Sequence, residues 1–97
     1  MMNEQLSKIL KEDYDHWDNS PDDSRIVAWK DYGGHADVFD SISGEKIVTI
    51  KAEMDHWFWA PGGKELISHD YRITNIWDAT TGKYLRSVEA TYDIPSE

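Results

Sequence analysis

The sequence predicts a mainly β protein built from two four-stranded antiparallel meanders and led by a short helix, and three observations carry that prediction. First, the chain repeats itself at a spacing near forty residues. His16-Trp17 with Pro21 recurs as His56-Trp57 with Pro61 at an offset of 40, and Phe39-Asp40 with Gly44 recurs as Trp77-Asp78 with Gly82 at an offset of 38. Second, each repeat holds four short runs rich in Val, Ile, Trp and Tyr, separated by clusters of Pro, Gly, Asp and Ser. Third, five Trp, five Tyr and two Phe supply the apolar burial that disordered segments lack.

The elements follow in chain order within one domain. Residues 1–15 hold the helix: Leu6, Ile9 and Leu10 fall at i, i+3, i+4 spacing with Tyr14 and Trp17 continuing the stripe, while Glu4, Lys8, Lys11 and Glu12 face away. Asn3 is suited to cap it, and Glu4 in its first turn suits the helix dipole. Residues 16–52 form the first repeat, with strands at HWDN, RIVAW, ADVF and KIVTI and turns at SPDDS, DYGGH and DSISGE. Residues 53–90 form the second, with strands at DHWFW, ELISH, ITNIW and YLRSV and turns at APGGK, Asp70-Tyr71 and DATTGK. Its two missing residues fall at the turn that carries Gly33-Gly34 in the first repeat. In the tail, 91–97, Tyr92 allows brief strand pairing that Pro95 ends.

Over residues 16–90 these segments resemble the WD-repeat β-propeller family. SPDDSRIVAW and APGGKELISH look like that family's turn after the first strand of a blade, and VFDSISGEKIVTI and NIWDATTGKYLRSV look like its third and fourth strands. The resemblance implies two propeller-like blades. It also implies a hydrogen-bonded network of Ser, Asp, Trp and His inside a blade, for which Ser68, Asp70 and Trp77 supply three members. The His is missing from its place, and the first repeat departs further, with Trp29 and Phe39 where the family has Ser and Trp.

Alternation along the strands gives each sheet two apolar faces. Trp57 and Trp59 oppose Phe58, Leu66 opposes Ile67, and Ile26 and Ala28 oppose Val27 and Trp29. Two stacked blades cover one face each, and the helix covers a third through Leu6, Ile9 and Leu10. The remaining face calls for another copy or another protein, because stacked repeats need roughly three neighbours to stand alone and a bare apolar sheet is an association site. Two blades per chain give four, six or eight blades from two, three or four copies, so a homo-oligomeric ring, best as a trimer, is one expectation.

Composition bounds the function. The absence of Cys removes disulfides and thiolate metal sites and fits a reducing compartment. The start of the chain lacks the pattern of a secretory signal and no apolar run is long enough to span a bilayer, so a cytoplasmic protein without membrane attachment is expected. A net charge of −9 argues against direct nucleic-acid binding, which rests on Lys and Arg, and favours a basic protein partner.

No residue pattern calls for an enzyme, a cofactor or a bound metal. The four His lie near Asp residues, but no pair has a close ligand spacing such as H-x-x-x-H, and His16 and His56 are repeat equivalents. DYDHWD lacks the Gly and distal Glu of a calcium loop, and the Gly-Gly pairs open no helix. The acidic stretch is the candidate site: Glu12, Asp13, Asp15, Asp18, Asp22 and Asp23 lie in a segment without Lys or Arg, interleaved with Tyr14 and Trp17. Aromatics among charges are the make-up of binding hot spots; the same carboxylates would also serve solubility alone. The leading expectation is therefore a non-enzymatic interaction module. Its alternatives are a small acidic inhibitor or immunity-type protein that blocks a basic, possibly nucleic-acid-binding surface, and, on composition only, a sugar-binding module with Trp platforms.

Overall fold

The computed structural model describes residues 3–52, 54, 56–69 and 73–89. Helix α1 (Glu4–Asp13) is followed by β1 (His16–Asn19), β2 (Arg25–Trp29), β3 (Ala36–Asp40), β4 (Lys46–Ile50), β5 (His56–Trp59), β6 (Glu65–His69), β7 (Ile73–Asp78) and β8 (Tyr84–Glu89). Strands β1–β4 pair in sequence order as one antiparallel sheet and β5–β8 as a second, which is the expected pair of meanders behind one helix. The Asp70-Tyr71 turn and the tail lie outside the described residues.

The turns show why the repeat is visible in sequence. After β3, Asp40 Oδ1 accepts from the N–H groups of Ile42 and Ser43 at 2.9 and 2.8 Å; after β7, Asp78 Oδ1 accepts from Thr80 and Thr81 at 2.8 and 2.9 Å. Each turn ends on a glycine in the left-handed region, Gly44 at φ 79° and Gly82 at φ 77°. Gly82 carries a second constraint, since a Cβ there would come within 2.8 Å of Val48 Cγ2 in the other sheet.

Register assigns the faces, because directly opposed residues point the same way. In the second sheet Trp57, Ser68, Asn75 and Ser87 form one row and Trp59, Leu66, Trp77 and Tyr84 the next. This face meets Val27, Trp29, Val38 and Ile50 of the first sheet in the main core. Trp57 and Trp59 are buried there, whereas Trp77 is half-buried against its edge and donates from Nε1 to Ser68 Oγ at 2.9 Å. That bond joins two of the three expected network members; Asp70 is outside the described residues.

The helix covers the other face of the first sheet. Leu6 and Leu10 are fully buried against Ile26, Ala28 and Phe39, with Tyr14 at the rim. Two expectations need correction. Ile9 is 38% exposed, because at 100° per residue it lies to one flank of the Leu6–Leu10 line; Trp17 belongs to β1 and not to the helix stripe. Asn3 caps α1 by accepting from Gln5 and Leu6 N–H at 2.9 and 3.1 Å, and its amide reaches the Ile42 carbonyl at 3.2 Å. The cap thus also fastens the helix to the β3–β4 turn.

Among the described residues, no helix lies over the outer face of the second sheet. There the row Phe58, Ile67, Ile76 and Arg86 crosses all four strands beside the row His56, His69, Thr74 and Val88. Phe58 is 36% exposed and Val88 50%.

Candidate functional site

Strands β1 and β5 are the neighbouring edges of the two sheets, and between them opens a cleft of about 490 Å³. Asp15, Trp17 and Asp18 line it from the first repeat, together with His16 and Trp29; His56 and Phe58 line it from the second. The rings form a continuous wall. His16 stacks on Trp29 at a centroid distance of 5.4 Å, and His56 meets the same indole edge-on at 5.3 Å. Trp29 Nε1 is buried with no hydrogen-bond partner among the described residues.

The carboxylates of the cleft differ in their freedom. Asp15 Oδ2 accepts from the Asp31 N–H at 2.9 Å, and Asp31 in turn holds His16 Nε2 at 2.9 Å. The Asp18 carbonyl accepts from Trp59 Nε1 at 2.9 Å, and its carboxylate has no hydrogen-bond partner among the described residues. His56 is pushed below the usual histidine range by burial first, then by the neighbouring His69 and His16; the charge of Asp18 opposes this. The site is thus an acidic, aromatic-walled cleft in which His56 is held towards its neutral form.

The eight residues of the acidic stretch do not form one surface. Asp15, Trp17 and Asp18 come together in the cleft, with Trp17 39% exposed. Glu12 and Asp13 are exposed at the last turn of α1. Tyr14 turns inward: it packs edge-on against Phe39 at 5.9 Å and donates its hydroxyl to Asp37 Oδ2. Burial, then the Asp37 bond and the charges of Asp37 and Asp13, push its hydroxyl pKa upward. Asp22 is absorbed by its own turn, where Oδ1 accepts from Ser20 Oγ, Ser24 N–H and Ser24 Oγ at 2.9, 3.0 and 2.7 Å. These bonds lower its pKa to about 2. Asp23, at φ 64°, is exposed beside it, and Asp22 lines a second, smaller cleft of about 420 Å³ with Arg25, Lys64 and Asp78.

One acidic group escaped the sequence reading. Asp37 is 1% exposed, accepts from Thr49 Oγ1 at 2.5 Å as well as from Tyr14, and lies 3.5 Å from His35 Nε2 and 3.6 Å from Lys46 Nζ. Its partners make it a latch between the end of α1 and the first sheet. The available signal was its place in ADVFD, a carboxylate on the face of Phe39, opposite Ala28.

No protein-family model and no curated protein matches the sequence. Solved structures do match in fold. The chain is similar to hydrazine synthase of Kuenenia stuttgartiensis, with a TM-score of 0.65 and 14% identity over 76% of this chain and 22% of that one. It is similar to KlHsv2 with loop 6CD replaced by a Gly-Ser linker, with a TM-score of 0.67 and 12% identity over 80% of this chain and 28% of that one. Hsv2 of Kluyveromyces lactis gives a TM-score of 0.55 at 13% identity, over 63% and 21% of the two chains. These are β-propeller proteins, so the likeness shows a propeller-like fold. The chain spans less than a third of the length of each of these three structures. Among the described residues, no helix is long and apolar enough to cross a membrane.

Proposed function

We propose that the protein is a non-enzymatic protein-interaction module, a two-blade propeller-like unit completed by a further sheet and read by a basic partner at its acidic cleft. One observation carries the reading: the two equivalent sheets are covered unequally. The first has α1 on its outer face, and among the described residues no helix covers Phe58, Ile67, Ile76 and Val88 of the second. By repeat register that bare face corresponds to the one on which Val27, Val38 and Ile50 receive the second sheet. A surface built like that of Trp57, Trp59 and Leu66 is therefore its natural complement.

A ring of identical copies would have to place the bare face of one chain on the outer face of the next chain's first sheet. Leu6 and Leu10 of α1 hold that position, so ring closure requires α1 to leave. The helix favours a heterologous partner over self-association. The basic character of the partner follows from the net charge of −9 and from the cleft, where Asp15 and Asp18 sit among Trp17, Trp29 and Phe58. Such walls accept the stem of a Lys or Arg along the rings and its charge at the carboxylates. The place of action within the cell that we favour is the cytoplasm, given the absence of Cys.

The test pairs Asp15→Asn with Asp18→Asn, which keeps volume and removes two charges. Basic proteins captured from cell extract by the parent chain should be released as salt shortens the Debye length below about 8 Å, and the double variant should capture them more slowly while keeping its circular dichroism spectrum. Capture that is equal in parent and variant and insensitive to salt would remove the cleft from the reading.

A further inference from the structure

The cross-strand pair His56 and His69 holds two imidazoles in chelating reach of each other. The two residues are thirteen apart in sequence but directly opposed in the β5–β6 ladder, on the bare outer face of the second sheet. Their ring centroids are 5.6 Å apart with planes inclined at 35°. Directly opposed residues of an antiparallel pair have Cβ atoms about 4.5–5.5 Å apart. From that base, modest side-chain rotation lets each ring aim one nitrogen at a common ion at about 2.0–2.1 Å.

We propose that His56 and His69 chelate one divalent late transition-metal ion of the kind that prefers imidazole, namely Zn²⁺, Ni²⁺ or Cu²⁺. Neither ring has a hydrogen-bond partner among the described residues. Phe58 flanks both at 6.1 Å and Trp29 stands edge-on to His56 at 5.3 Å, which limits the rotamers the pair explores. Among the described residues no three His, Cys, Asp or Glu side chains gather into a fuller ligand set. Among the described residues no carboxylate orients either ring from behind, which sets a modest affinity and an exchangeable ion. His16 stacks on Trp29 and its Nε2 is held by Asp31 at 2.9 Å, so it stands outside the pair and serves as the internal control.

The experiment titrates NiCl₂ into the full chain by calorimetry and reads thermal unfolding with and without saturating Ni²⁺. One equivalent should bind and raise the midpoint, because the ion binds the paired strands and not the separated ones. His56→Asn and His69→Asn should each weaken binding by at least about tenfold, a first ligand being worth no less than an outer-shell one, and abolish the rise. His16→Asn should leave both unchanged. Binding of undiminished affinity in either variant, or an equal loss in His16→Asn, overturns the proposal. Cu²⁺ spin resonance on the unsubstituted protein reports independently of variant folding: coupling to two equivalent imidazole nitrogens supports the pair, and coupling to one or none refutes it.

Discussion

The two sheets share strand order, register and the backbone geometry of their first and third turns, yet equivalent residues meet opposite surroundings. Trp57 is 1% exposed in the core between the sheets, whereas its counterpart Trp17, forty residues earlier, is 39% exposed at the cleft. Leu66 faces the first sheet while its counterpart Ile26 faces α1. In a stacked repeat, the neighbour decides what a position does; the strand supplies only its direction. Helix α1 is therefore best understood as a substitute neighbour, ten residues long, placed where a preceding sheet would pack.

The comparison is tested most severely at the tryptophan pair. Trp57→Ala removes a fully enclosed side chain and should destabilise by about 3–5 kcal/mol, a large part of what a domain this small has in reserve. Trp17→Ala should cost within about 0.5 kcal/mol, as exposed substitutions do. Urea unfolding of the two variants measures the contrast. Equal losses would mean that the first sheet is packed more like the second than the faces indicate.

The cap gives the next largest effect. Leu10→Ala should cost about 2–5 kcal/mol, because it empties a buried position between α1 and the sheet. Phe58→Ala, on the uncapped face, should stay within about 0.5 kcal/mol in the isolated chain. Sedimentation adds a second readout: loosening α1 frees the surface that the bare face complements, so Leu10→Ala should self-associate more than the parent and Phe58→Ala should not. A Leu10→Ala chain that remains monomeric at high concentration would separate the two faces and leave α1 with a purely local role.

Much of this arrangement was legible in the sequence because local chemistry and repeat agree. Asp40 and Asp78 with their glycines fix the turns, and strand alternation assigns Ile26 and Ala28 to one face and Val27 and Trp29 to the other. Contacts made by register across strands were not legible. Nothing in the spacing of His56 and His69 announces a pair, since their proximity exists only once β5 and β6 align. Asp37 was hidden for the same reason: its partners Tyr14 and Thr49 come from the helix end and from β4. The acidic stretch read as one surface because sequence shows charge without direction, and folding turns Tyr14 inward and ties Asp22 into a turn.

The smallest expected effect concerns that turn. In the first repeat Ser20-Pro21-Asp22-Asp23 is organised by bonds to Asp22, while in the second its counterpart Ala60-Pro61-Gly62-Gly63 has no carboxylate. The backbone is otherwise matched: Asp23 N–H reaches the Ser20 carbonyl and Gly63 N–H the Ala60 carbonyl, both at 2.9 Å, with φ at 64° and 76°. Because folding lowers the Asp22 pKa from 3.8 to about 2, the folded state holds fewer protons there than the unfolded chain. Its contribution is complete above pH 3.8 and disappears as the pH falls through about 2. Asp22→Asn keeps a side-chain oxygen to accept from Ser24 but cannot titrate. The midpoint of thermal unfolding should therefore fall less steeply with acid in the variant than in the parent across this window, with the remaining slope carried by Asp40 and Asp78, whose pKa values the turn N–H groups also lower. Parallel curves would show that the Asp22 bonds shape the turn without contributing to stability. In that case the left-handed residue at position 23 would be held by the strand ends alone, as Gly63 is in the second repeat.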